Sequence, residues 1–169
     1  MFRLKLFGIG LMAAMLIACT NEVEKSSDVS PVPVYSFDEL KPVLDRSNDT
    51  LYIYNFWATW CGPCIKEMPH FEKVNKDYAS RKVKVVLVSL DYEEDIETKL
   101  IPFIKERHIR SEVVNLSDPN ANRWIPMVDP SWDGAIPATL FRIGKDSRFM
   151  AHTFTHDELV NEIETLLKQ

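Results

Sequence analysis

The sequence predicts an α/β fold in which a central mixed sheet is flanked by helices. Two patterns and one balance lead there. From Leu51 to Leu90 the chain reads strand, helix, strand, the order of a crossover between parallel strands. From Ala138 onward two strands are joined by Gly144-Lys145-Asp146-Ser147 and followed by a helix, which reads as an antiparallel hairpin and its cover. Of the 169 residues, 46% are apolar, 27% are charged and only 5 are Gly, the balance of a chain that buries one core and is too short for two.

Taken in order, the first 18 residues stand apart. Arg3 and Lys5 make a basic end, and Leu6 to Ala18 is uncharged and rich in Leu, Met and Ala. Its 13 residues are short of the roughly 20 that a membrane span needs, so residues 1–18 are expected to be an export signal. Leu16-Ile17-Ala18-Cys19 resembles the lipobox of bacterial lipoprotein precursors, which implies that Cys19 is acylated and becomes the first mature residue. Residues 19–34 are polar with Pro31 and Pro33, and are expected to be a flexible tether to a domain spanning 35–169.

Within that domain, Ser36 followed by Glu39 forms a capping box for a short helix that ends near Ser47-Asn48-Asp49. Leu51 to Trp57 has apolar residues on both faces and predicts a central strand. Ile65, Met68, Phe71, Val74 and Tyr78 recur at spacings of three and four, marking a helix to about Ala79 that Pro69 should kink. Val83 to Leu90 predicts the next strand, and Asp91 caps a following helix interrupted at Pro102. Glu112 to Leu116 is a short strand, Pro119 to Met127 an irregular or briefly helical piece, and Trp132-Asp133-Gly134 a turn. The hairpin strands are expected at Ala138 to Ile143 and Arg148 to Phe154, and Thr155 with Glu158 caps a last helix to about Lys168.

Chemistry concentrates at Cys61-Gly62-Pro63-Cys64, where the first strand turns into the helix. A thiol at a helix N-terminus faces unpaired backbone N–H groups, which favour the thiolate. Cys61 should therefore be the exposed, attacking thiolate and Cys64, one turn deeper, the resolving thiol. A merely stabilising disulfide is a poor reading, because so small a loop constrains the unfolded chain little. A zinc site is no better: four ligands are needed, there is no second Cys pair, and the four His are scattered. No metal and no cofactor are called for. Glu67, three residues after Cys64, shares its helical face and can take or return its proton; the competing reading is a solvated glutamate paired with a neighbour such as Lys73. Trp60 is expected exposed beside Cys61 as an apolar contact surface and Trp57 buried, while Trp132 either shapes the groove or seals a loop. A formal charge of -5 without any basic stripe argues against nucleic acid as a partner.

The run Asn55-Phe56-Trp57-Ala58-Thr59-Trp60-Cys61-Gly62-Pro63-Cys64-Ile65-Lys66-Glu67-Met68-Pro69 resembles the thioredoxin superfamily, in particular its exported TlpA/ResA-like branch. Downstream, Gly134-Ala135-Ile136-Pro137-Ala138-Thr139 is similar to that family's cis-proline loop. The resemblance implies a thioredoxin-like fold with a helix-containing insertion over Asp91 to Met127. It further implies a cis Pro137 packed on the cysteines, and an Ile136 backbone that pairs with an extended substrate. One departure is Asn55, which is neutral where cytoplasmic thioredoxins carry a buried Asp.

On that resemblance the chain is expected to be an enzyme: a monomeric, membrane-tethered thiol–disulfide oxidoreductase of the cell envelope or periplasm, anchored through the lipid on Cys19. Its substrates would be disulfides of exported proteins, apocytochrome c being one candidate. The Gly-Pro dipeptide accompanies reducing members with potentials near about -270 mV, against about -120 mV for strong oxidants. A reductant outside the cytoplasm also needs a membrane thiol donor. The alternative is a copper metallochaperone using both cysteines and His152, although copper-carrying relatives have three residues between their cysteines and this chain has two.

Overall fold

The computed structural model describes residues 32–168. The expectations of an export signal, of acylation at Cys19 and of a tether fall, up to residue 31, outside the described residues.

Six strands form one sheet in the order β1-β4-β3-β2-β5-β6. β2 (Leu51–Trp57) and β3 (Val83–Ser89) are parallel neighbours, in register from Leu51 opposite Val83 to Trp57 opposite Ser89. β4 (Glu112–Leu116) and β1 (Val34–Tyr35) extend the parallel side. β5 (Ala138–Ile143) runs antiparallel to β2, and β6 (Asp146–Met150) antiparallel to β5. This is the thioredoxin-like mixed sheet that the sequence predicts.

All seven residues of β2 are buried, because the strand alternates between two cores. Leu51, Ile53 and Trp57 meet Met68, Phe71 and Val74 of α2 (Gly62–Asp77) and Leu159 and Ile163 of α5 (His156–Leu166). Tyr52, Tyr54 and Phe56 face the other way, toward Phe37 and Leu40 of α1 (Phe37–Leu44) and Trp124 of α4 (Ala121–Val128). Capping sets the helix starts. The Glu39 carboxylate accepts from the backbone N–H and hydroxyl of Ser36, and Glu158 does the same for Thr155.

Four expectations need correction. The fold begins before residue 35: Val32 is buried and Val34 pairs with Asn115, a two-residue strand too short to leave a periodic signal. α1 stops at Leu44, short of the turn residues 47–49. Asp91 caps no helix; its carboxylate turns back to Thr59 and Ser89, and the chain winds through a 3₁₀ turn (Glu93–Asp95) and a π turn (Ile96–Leu100) into α3 (Ile101–Glu106). Leu100 and Ile104 from that stretch enter the α2-side core, which it covers in place of one regular helix. β6 starts at Asp146 and ends at Met150, because pairing of Ile143 with Asp146 closes the hairpin two residues earlier than composition suggests. Phe154 is thereby freed to pack edge-on against Phe71 and Phe141.

Candidate active site

The reactive turn hangs from the C-terminal end of the most enclosed strand. After Trp57 the chain folds over, with the Cys61 N–H donating to the Ala58 carbonyl at 3.1 Å, and Gly62 opens α2. Cys61 is the N-cap of that helix, and its sulfur accepts the backbone N–H of Cys64 at 3.3 Å. Pro63 sits in the first turn, where no N–H is needed, and α2 runs on through Pro69. Cys61 and Cys64 are joined in a disulfide with their Cα atoms 5.3 Å apart.

Cys64 is wholly buried, and Cys61 is less open than expected, keeping 6% of its surface. The cause lies across the site. The Ile136–Pro137 bond is cis, as the resemblance implies, and the Ile136 carbonyl oxygen lies 3.8 Å from the Cys61 sulfur. The loop that brings it there turns at Gly134 (φ 91°), where a Cβ would come within 2.9 Å of the Ile125 side chain. Trp132 closes the same loop from beneath: it is buried among Phe56, Trp124 and Phe149 and donates its indole N–H to the Ala135 carbonyl at 2.8 Å. Of its two readings, sealing the loop is the one observed.

Glu67 is not a solvated helix residue. It keeps 1% of its surface, while Lys73 pairs with Asp77. Its Oε2 accepts the backbone N–H of Phe154 at 2.7 Å and its Oε1 the amide of Asn55 at 3.0 Å. Burial pushes its pKa up to about 7, opposed by those two hydrogen bonds and by the nearby His152. A carboxyl poised there, on the helical face of Cys64 and one turn below it, is about equally acid and base at neutral pH.

A second buried carboxylate holds the turn itself. Asp91, at the end of β3, accepts the Thr59 N–H at 3.1 Å on each oxygen, together with the Thr59 and Ser89 hydroxyls. Asn115 on β4 donates to the Asp91 carbonyl at 2.9 Å, tying three strands to the residue that precedes Trp60. Trp57 is fully buried, whereas Trp60 leaves 58% of its surface in solvent beside the disulfide.

Residues 42–145 match the AhpC/TSA family. The chain belongs to that family. Among curated relatives, a thiol-disulfide oxidoreductase ResA of Oceanobacillus iheyensis is 29% identical over 102 residues, covering 54% of this chain and 53% of that protein. A thioredoxin-like protein YneN of Bacillus subtilis is 47% identical over 63 residues, 37% of this chain and 36% of the relative. The chain thus spans about half, or less, of the length of these relatives. A thiol:disulfide interchange protein of the thioredoxin family from Chlorobium tepidum has the same fold, with a TM-score of 0.60 at 23% identity over 83% of this chain and 99% of that one.

In this AhpC/TSA member the structure joins Cys61 to Cys64, sets the carbonyl of Ile136, next to cis Pro137, against the Cys61 sulfur, leaves Trp60 exposed just before Cys61 and buries Glu67 on the same helix as Cys64. It does not bring His152 into that group: its ring lies tilted against Phe154, with centroids 4.4 Å apart, and its Nδ1 lies 3.0 Å from the Thr153 carbonyl. Among the described residues no three His, Cys, Asp or Glu side chains are placed to share a metal ion. No helix among the described residues is long and apolar enough to cross a membrane. The sequence reading missed Thr59, Asp91 and Thr139 as parts of the site and gave Asn55 no partner. The neutral residue at 55, on the face of β2 that α2 covers, was the one signal that could have pointed to Glu67.

Proposed function

We propose that this chain is a thiol–disulfide oxidoreductase of the cell envelope that reduces disulfides of exported proteins. The observation that carries the reading is a disulfide whose Cys61 caps a helix that carries a buried carboxyl group, Glu67, one turn after Cys64. In the first step the Cys61 thiolate attacks one sulfur of the substrate disulfide. A Cys61–substrate disulfide forms, and the other substrate sulfur leaves as a thiolate that takes a proton from water. In the second step Cys64 gives its proton to Glu67 and attacks the Cys61 sulfur. The Cys61–Cys64 disulfide forms and the substrate's remaining sulfur is released as a thiolate. Two electrons pass to the substrate, and the protein is left with its cysteine pair oxidised, the state seen in the structure. Turnover then needs an external dithiol, for which a membrane thiol donor is the natural source outside the cytoplasm.

Trp60 and the Ile136 backbone would receive the polypeptide around the target cysteine, the first through apolar contact and the second through main-chain pairing. Glu67 would serve as proton acceptor and donor for Cys64. Cys19, acylated, would hold a monomer to the membrane. Apocytochrome c before haem attachment fits as a substrate because it must be presented with both thiols reduced.

The test is Cys64→Ser in the full-length chain. The variant lacks the resolving thiol, so mixed disulfides between Cys61 and envelope proteins should accumulate and disappear on treatment with dithiothreitol. Absence of such adducts refutes the substrate-reducing role. A reduction potential for the pair near about -120 mV, instead of near about -270 mV, would reverse the direction of electron flow.

A further inference from the structure

Glu67 is held by two neighbours of different chemistry. The Phe154 N–H, from the segment after β6, can only donate, and at 2.7 Å it keeps Oε2 an acceptor. A proton that neutralises Glu67 therefore sits on Oε1. That oxygen faces the amide of Asn55, whose Nδ2 lies 3.0 Å from it and 3.2 Å from the Thr139 hydroxyl. The other end of the same amide, Oδ1, is buried and has no hydrogen-bond partner among the described residues. An orphaned buried acceptor is costly, and one left beside a titrating acid calls for an explanation.

Both partners lie at one end of the amide, so either orientation leaves the other end unpartnered and the charge on Oε1 decides which group faces it. Asn carries a donor and an acceptor of nearly equal shape that exchange places by a half-turn about the last side-chain bond. With Oε1 ionised, the NH₂ group is the right one to face it. With Oε1 protonated, the acid becomes a donor and the amide oxygen is the better partner. Thr139 fits both arrangements, since a hydroxyl can accept or donate.

We propose that Asn55 is a positioning residue whose amide turns over with the charge on Glu67, donating to the carboxylate and accepting from the acid, and so sets how readily Glu67 takes the Cys64 proton. The proposal rests on Glu67 acting as the proton acceptor in the resolving step. In that step the Cys64 S–H bond breaks and the proton moves to Oε1, while the Cys64 sulfur bonds to the Cys61 sulfur as the Cys61–substrate bond breaks and the substrate sulfur leaves as a thiolate; Asn55 then accepts the acid O–H until the proton leaves to water and the amide turns back. No electrons pass through Asn55. The titratable groups facing Glu67 are the cysteines of its own helix and, from the segment after β6, His152, whose proximity favours the carboxylate. Asn55 from β2 and Thr139 from β5 are neutral.

The experiment follows the reduced protein reacting with an aromatic disulfide whose two thiols are released in sequence, the second release reporting Cys64, from pH 5 to 9. In the wild type the second rate should rise through a midpoint that Glu67→Gln abolishes. Asn55→Ala should move that midpoint upward and slow the second release about tenfold or more at pH 6, the loss of one hydrogen bond to a charged group. Asn55→Asp should move it further, because two facing carboxyls share one proton. If Glu67→Gln keeps the midpoint, the reading of Glu67 fails. If it loses the midpoint while both Asn55 variants keep the wild-type value, the role of Asn55 alone is refuted. Should neither Asn55 variant fold, the side-chain amide ¹⁵N resonance of Asn55 in the wild type decides: it should titrate with Glu67 and be constant in Glu67→Gln, and a pH-invariant amide overturns the proposal.

Discussion

Replacing Glu67 by Gln should change the pH dependence of stability, and the structure gives the size. Burial carries the Glu67 acid from its ordinary 4.5 up to about 7. At about 1.4 kcal/mol per pH unit, keeping it ionised in the folded protein costs about 3 kcal/mol. Because the folded value is raised, the stability belonging to this group is fully present below pH 4.5 and is lost as pH rises through 7. The Glu67→Gln substitution removes the titration and keeps the shape, with the new side chain's carbonyl facing the Phe154 N–H and its NH₂ facing Asn55. The variant should match the wild type near pH 4.5 and be more stable by about 3 kcal/mol at pH 8, which for a domain of this size is about 6–12 °C in Tm. Guanidinium unfolding of the oxidised proteins at the two pH values measures the difference, and ionisations common to both cancel. A stability difference independent of pH would show that Glu67 is not a desolvated acid, and the proton-transfer role would lose its basis.

Two further outcomes are expected. Asp91→Ala leaves the Thr59 N–H and two hydroxyls without their acceptor, so it should cost about 2–4 kcal/mol in denaturant unfolding and slow the first thiol exchange by loosening the turn that carries Cys61. Trp60→Ala removes an exposed side chain, so stability should stay within about 0.5 kcal/mol. KM for a protein disulfide should nevertheless rise several-fold while that for a small aromatic disulfide does not; equal effects on both would mean Trp60 makes no contact with the polypeptide.

What could be read from the chain tracks how local each signal is. β2 and β3 were legible because nearly continuous apolar runs, interrupted only at Asn55, Lys84 and Ser89, are the mark of strands covered on both faces, and α5 because Thr155 and Glu158 cap it within one turn. β1 was not, since two residues carry no period and its pairing with β4 spans some eighty positions. The end of β6 was misplaced because its alternation is half-exposed, and hydrophobic Phe154 looks like strand until Phe71 and Phe141 are beside it. Within the site, Cys61, Cys64 and Glu67 follow from spacing along one helix. The Phe154 N–H that holds Glu67 is a backbone group, which no residue type announces. Asp91 misled for a related reason: an Asp followed three residues later by Glu is a sound helix start, and only the fold shows a stronger claim on that carboxylate from Thr59.

The complete enclosure of β2 divides the molecule for anyone who would retarget it. Its six apolar side chains serve two cores at once, so libraries that vary them would chiefly yield unfolded protein. Trp60 and Ile136 border the sulfur pair from separate loops without belonging to that strand, so under the proposed function substitutions there would be the way to choose new client polypeptides while the cysteine pair stays as it is.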